Sequence, residues 1–292
     1  MKAQSKERFS LLIASVFMTS GFACTSVSPG EEAVDASPQP ATDAQHVQVG
    51  CAELQPCFTV YAHSDDVLYH IDLAKKTLVE IGPFNTSGGD VITDLAVSPD
   101  DGLWGVSEAS YLYSIDPATG QATQVTSLAA CGTFSVALTF STDGNLYAGD
   151  YMGAFCRIDT GQTPPDVINV GTLGNNLALA GDMVAVSDGT LYGTAYDLTN
   201  AATTSNNILV TINPTTGVAT PIGSTGFPNL YGVAFEEGRV FGFTHDGSGQ
   251  VVTLDPSTGA GTLYGTFTDP GSGSAIAFAG AAVNPNVPPV VE

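Results

Sequence analysis

The sequence predicts an all-β fold: a five-bladed β-propeller of four-stranded antiparallel blades, closed by the C-terminal strand joining the N-terminal blade. Three observations carry that expectation. A strand-turn unit occurs five times, a second hairpin precedes it in each copy, and the first copy lacks a strand that the end of the chain can supply.

The repeated unit reads Leu68-Tyr69-His70-Ile71-Asp72, Leu112-Tyr113-Ser114-Ile115-Asp116, Phe155-Cys156-Arg157-Ile158-Asp159, Leu209-Val210-Thr211-Ile212-Asn213 and Val251-Val252-Thr253-Leu254-Asp255. Copies recur about every 43 residues, the size of a propeller blade. One longer interval separates the third from the fourth, and its surplus falls in the polar stretch 194–207. Three copies run into a turn: Asp116-Pro117-Ala118-Thr119-Gly120, Asn213-Pro214-Thr215-Thr216-Gly217 and Asp255-Pro256-Ser257-Thr258-Gly259. Pro pre-sets φ there, the Asp or Asn side chain bonds nearby backbone, and Gly takes φ > 0 at the exit. These acids are turn-formers rather than catalysts.

Ahead of the unit, Asp94-Leu95-Ala96-Val97 leads through Asp101-Gly102 to Leu103-Trp104-Gly105, and Leu138-Thr139-Phe140 leads through Asp143-Gly144 to Leu146-Tyr147-Ala148. Two further copies use Asp188-Gly189 and Glu237-Gly238, so each repeat holds four strands, A to D. The N-terminal copy starts at strand B, Phe58-Thr59-Val60-Tyr61, and Ala275-Ile276-Ala277-Phe278 aligns with the missing strand A. Closing the ring this way leaves no broad open edge. Tyr61, Trp104, Tyr147, Tyr192 and Phe241 form an aromatic column on strand B, expected in the core between blades. His70 shares a column with Ser114, Arg157, Thr211 and Thr253, and so is not marked as a ligand.

These motifs resemble the Leu-Tyr-x-Ile-Asp-x-x-Thr-Gly repeats of secreted bacterial β-propeller lipoproteins of the YVTN and quinoprotein-like type. The resemblance covers nearly the whole repeat region and implies the architecture, with little about activity. Five blades and a single Trp speak against a quinoprotein dehydrogenase.

At the N-terminus, Lys2, Lys6 and Arg8 precede an apolar run from Phe9 to Ala23, the pattern of a secretory signal and too short to span a bilayer. Ala23-Cys24 resembles the lipobox of bacterial lipoproteins, which implies acylation at Cys24; Thr25 after it implies outer-membrane delivery, facing either the periplasm or the exterior. Ordinary cleavage after Ala23, leaving a free thiol, is the alternative. Parity favours acylation, because Cys51, Cys57, Cys131 and Cys156 then remain as an even set for an oxidising compartment. Expected disulfides are Cys131 with Cys156 and Cys51 with Cys57, although Cys156, aligned with Tyr69 and Tyr113, also fits a buried free thiol. The expected organisation is a signal peptide over 1–23, a lipidated tether over 24–50, the propeller over 51–283 and a Pro-rich tail over 284–292.

A net charge of −22 makes nucleic-acid or anionic-lipid binding by the folded domain untenable, leaving the lipid anchor as the only membrane attachment. Of the possible sites, the face shared by the B–C and D–A loops is the richest, with Asp65, Glu108, Asp150, Asp197 and Asp246 at similar places and His63, His245, Tyr151 and Tyr196 beside them. Convergent carboxylates there could hold Ca²⁺, with Glu108 and Asp150 as first ligands, or attract a cationic or sugar ligand. No catalytic residue and no cofactor beyond Ca²⁺ is indicated. No Cys-x-x-Cys, His-x-x-x-His, nucleophile elbow or phosphate loop is present. The expected function is a monomeric, non-catalytic cell-envelope binding module for a protein or carbohydrate. The alternative is a metal-dependent hydrolase or lyase of lactonase or glycosidase type, for which Asp90, Asp94, Glu108, Asp150 and Asn229 are the residues to test.

Overall fold

The computed structural model describes residues 60–199 and 206–286. The signal segment, Cys24, the tether, Cys51 and Cys57 lie outside them. Among the described residues the strands pair into five antiparallel four-stranded sheets. The first blade contains β1 (Val60–His63), β2 (Val67–Asp72) and β3 (Thr77–Pro83); the second β4 (Ile92–Val97), β5 (Leu103–Ser107), β6 (Tyr111–Ile115) and β7 (Ala122–Ser127). The third holds β8 (Ser135–Phe140), β9 (Leu146–Asp150), β10 (Ala154–Asp159) and β11 (Asp166–Thr172). The fourth is β12 (Leu177–Ala185), β13 (Leu191–Asp197), β14 (Ile208–Ile212) and β15 (Ala219–Ser224). In the fifth are β16 (Leu230–Glu236), β17 (Arg239–Thr244), β18 (Gln250–Leu254) and β19 (Gly261–Thr266), and β20 (Gly280–Val283) completes the first as its innermost strand. The protein is thus a five-bladed β-propeller.

Burial grades from the axis outward and explains the sequence pattern. Inner strands such as β8 and β12 are buried along their whole length and read as continuous apolar runs, whereas outer strands such as β7 and β15 are mostly exposed and polar. The aromatic and polar columns face one another in register: Tyr61 opposite His70, Trp104 opposite Ser114, Tyr147 opposite Arg157, Tyr192 opposite Thr211 and Phe241 opposite Thr253. Tyr147 and Phe241 are buried as expected; Tyr61, Trp104 and Tyr192 are only partly covered, because the column lies near the ends of the blades.

The Asx-Pro turns act locally and between blades. The Asp116 carboxylate accepts the Ala118 N–H at 2.9 Å and the Thr119 hydroxyl at 2.9 Å, holding it below the ordinary carboxylate range. Gly120, at φ 79°, packs its backbone on Gly82 of the preceding blade, and the Ala122 N–H donates to Phe84 O at 2.8 Å. Equivalent bonds join Ala219 to Leu173 and Gly261 to Thr225. The first blade, lacking the motif, uses Lys76 instead: its ammonium donates to Tyr264 O at 2.7 Å and sits 4.5 Å from that ring's centre.

Closure occurs through a different segment from the one the alignment indicates. β20, residues 280–283, pairs with β1, with Tyr61 opposite Ala282. Residues 275–278 form the preceding loop instead. Ile276 and Phe278 fill the core between the last and first blades against Phe243 and Phe267. Asn284, assigned to the loose tail, donates to Asp101 Oδ1 at 2.5 Å.

Cys131 and Cys156 form a disulfide, with Cα atoms 5.6 Å apart. Its place in the repeat has a physical logic. Tyr69 and Tyr113 occupy the position of Cys156, and each donates its hydroxyl to an Asp of its own blade's D–A loop: Asp269 at 3.0 Å and Asp90 at 2.9 Å. In the third blade a covalent bond ties the same strand to the same loop.

Candidate functional site: an axial funnel

A cavity of about 630 Å³ opens on the face carrying the B–C and D–A loops. Its rim takes Asp65, Glu108, Tyr151 and His245 from the B–C loops and their edges, and Phe134 from a D–A loop. The wall below comes from the inner strands, and small irregularities aim it. The register of β4 with β5 skips Thr93, that of β8 with β9 skips Val136, that of β12 with β13 skips residues 180–182, and that of β16 with β17 skips Tyr231. Thr93, Val136, Ala180, Gly181 and Tyr231 all line the cavity. A bulge lets a strand turn an extra residue out of the pleat, and four blades use it to point residues at the axis.

The aromatic residues are held in pairs. Tyr231 stacks on His245 with ring centres 4.8 Å apart and planes at 15°, and Phe134 meets Tyr151 edge-to-face at 5.3 Å. Tyr196 is hydrogen-bonded to Tyr231, and burial followed by that bond raises its hydroxyl pKa. His245 Nε2 lies 3.0 Å from Asp65 Oδ1.

Beneath the funnel two fully buried carboxyl groups, Asp94 on β4 and Asp182 on β12, lie close enough to interact electrostatically. Asp94 Oδ2 accepts the Leu138 N–H of β8 at 2.6 Å. Asp182 Oδ1 accepts the Met183 N–H at 2.5 Å, and its Oδ2 accepts Val233 N–H of β16 at 2.5 Å and Ala281 N–H of β20 at 3.3 Å. Asp94 thereby ties β4 to β8, and Asp182 ties β12 to β16 and β20. Burial pushes both pKa values up; the neighbouring Asp182 charge adds to the rise at Asp94, while the amides converging on Asp182 oppose the rise there. A Cβ on Gly280 would come within 2.5 Å of Asp94 Oδ1 and of His63 Nε2, so only glycine fits there. His63 is buried, donates from Nδ1 to Ser64 O at 2.7 Å, and is kept neutral by desolvation, its pKa lowered to about 4.

Of the five loop acids, Asp65 and Glu108 reach the funnel wall. The others serve their own loops. Asp150 Oδ1 accepts the N–H groups of Met152 at 3.0 Å and Ala154 at 2.7 Å, Asp197 caps Thr199 at 2.8 Å, and Asp246 caps Ser248 at 2.9 Å. Calcium needs several converging oxygens. Asp150 is buried in its turn, and no three His, Cys, Asp or Glu side chains are grouped for an ion among the described residues, so Glu108 and Asp150 do not fit such a site. Asp90 is held by Tyr113, and Asn229, at φ 52°, shapes a turn through its carbonyl, which accepts the His245 N–H at 2.8 Å. Sequence reasoning passed over Phe134, Thr93, Val136 and Tyr231. A one-residue excess between inner-strand apolar runs is the signal that could have marked the bulged ones.

Strand pairing and repeats define the class: a β-propeller repeat protein with an axial funnel. Residues 32–172 match a sequence family described as a repeat of unknown function, DUF6923. Among curated proteins none matches the chain. Similar solved structures include a protein of unknown function from Bacteroides caccae, at 14% identity over 70% of each chain and a TM-score of 0.38. Another is virginiamycin B lyase from Staphylococcus aureus, at 16% identity over 72% of this chain and 66% of that one, TM-score 0.42. A third is a protein of unknown function from Bacteroides thetaiotaomicron, at 16% identity, TM-score 0.46, covering 70% of this chain and 56% of the other.

Proposed function

We propose that the propeller is a non-catalytic binding module that takes a small ligand into the axial funnel. The observation that carries this reading is the funnel itself: it has the volume of a small-molecule site, its wall is apolar and aromatic, and bulges in four blades aim residues into it. The carboxyls that hydrolytic chemistry would need are spent on structure at Asp90, Asp94 and Asp150, which argues against the hydrolase or lyase alternative.

Titration with the neutral fluorophore N-phenyl-1-naphthylamine tests it. Saturable single-site binding is expected, with loss of binding when Val136→Phe fills the funnel. Absence of saturable binding would remove the proposal; turnover of lactones or aryl glycosides, lost in Glu108→Gln, would install the hydrolase instead.

The signal segment and Cys24 support export and anchoring as a cell-envelope lipoprotein, and mass spectrometry of the mature N-terminus tests that. A diacylglyceryl-modified Cys24 is expected. Non-reducing peptide mapping tests the disulfides.

A further inference from the structure

We infer that the ligand of this funnel carries a positive charge on an apolar or aromatic body, as a small amine or quaternary ammonium ion does. The inference rests on the funnel reading above and adds the ligand's chemical class. Three features of the wall support it.

Among the described residues the ionisable side chains lining the funnel are Asp65, Glu108, His245 and tyrosines, with no Lys or Arg. Of the described basic residues, Lys75 pairs with Asp72 at 3.1 Å, Lys76 lies against Tyr264, Arg157 donates to Asn145 Oδ1 at 3.1 Å, and Arg239 is exposed at the start of β17, outside the lining. An anionic ligand would therefore lose its hydration without meeting a Lys or Arg, and the one imidazole in the lining, His245, already faces Asp65.

Charge on the wall is also uneven. Asp65 has His245 at 3.0 Å, whereas Glu108 has no basic partner among the described residues. Glu108 is thus an exposed carboxylate at the mouth of the cavity with no basic partner to compete for it among the described residues. A cation entering the funnel would meet it without displacing an existing ion pair.

Aromatic faces complete the match. Phe134 and Tyr151 from the third blade, Tyr196 from the fourth and Tyr231 from the fifth line a space whose remaining wall is mostly aliphatic. Ring quadrupoles attract a cation at the face, most strongly where water is excluded, and the aliphatic wall accepts the ligand's apolar body. A neutral apolar compound would use only the second of these. The whole-chain charge of −22 adds long-range attraction of the same sign.

Displacement of N-phenyl-1-naphthylamine from the mature chain by three probes of similar size tests the inference: phenyltrimethylammonium, its uncharged isostere tert-butylbenzene, and benzenesulfonate. Phenyltrimethylammonium is expected to displace the fluorophore about tenfold more effectively than tert-butylbenzene, with benzenesulfonate weakest. Glu108→Gln and Tyr231→Leu should each shrink the ratio of phenyltrimethylammonium to tert-butylbenzene displacement to about threefold or less. Equal displacement by the cation and its isostere, or stronger displacement by the sulfonate, would overturn the charge assignment and leave the funnel reading standing. Failure of the fluorophore to bind at all would remove both.

Discussion

At the axis, Asp94 and Asp182 make stability depend on pH in a direction opposite to that of most surface carboxylates. An unfolded Asp releases its proton near pH 3.9, whereas burial and the neighbouring Asp182 charge keep Asp94 protonated to a higher pH in the fold. Between those values the folded state holds a proton that the unfolded chain has lost, so stability declines as pH rises. The contribution is whole below the ordinary carboxylate range and is lost as pH climbs through the folded value. Glu236, raised to about 7 by burial and by Glu237 and Asp72, acts in the same direction. Asp94→Asn carries no titrating proton. Melting curves between pH 5 and 9 should therefore show a shallower alkaline decline in Asp94→Asn than in the wild type. Asp182→Asn should cost about 3 kcal/mol at any pH in that range, because its amide would face a backbone N–H donor. An unchanged melting temperature in Asp182→Asn would remove the axial carboxyl pair from any structural role.

Within a blade, the element that varies is the tie between strand C and the D–A loop. Tyr69 and Tyr113 make it by hydrogen bonds and Cys156 by a disulfide, and the two chemistries differ in strength. Losing one hydroxyl bond in Tyr113→Phe should cost about 1 kcal/mol. Replacing both Cys131 and Cys156 by Ala should cost about 3.5 kcal/mol on the chain-entropy account of a loop of this length. Urea unfolding of the two variants measures the difference, and a reductant should destabilise the wild type without affecting the double Ala variant. The four-strand plan of a blade was legible in advance for a simple reason: apolar runs and Gly-bearing turns are local signals, and they recur from the second blade to the fifth. The bulges were not, because skipping Thr93, Val136 or Tyr231 depends on how one strand meets its neighbour across the sheet.

For the whole molecule, ring closure is the cooperative step. β20 is only residues 280–283, yet it joins the first blade to the last and receives the Asp182 side chain at Ala281. Ending the chain after Ala279 should expose the inner edge of β1 and abolish a single cooperative melt, as followed by circular dichroism and by proteolysis. A deletion that still melts in one transition near the wild-type temperature would show that the ring does not need its closing strand.

The five-fold repeat, the four-strand blade, the chain-end closure and the turn role of Asp116, Asn213 and Asp255 were determined by the sequence itself, because each follows from residues close together and repeated. Which segment closes the ring, which loop acids face the axis, and which residues the bulges aim into the funnel were decided only in the tertiary structure. Those outcomes depend on contacts between distant segments: Ile276 and Phe278 pack between the last and first blades, a Cβ at Gly280 would meet Asp94 and His63, and Asp150 satisfies its carboxylate in its own turn. Contact between distant segments is not encoded in any one of them.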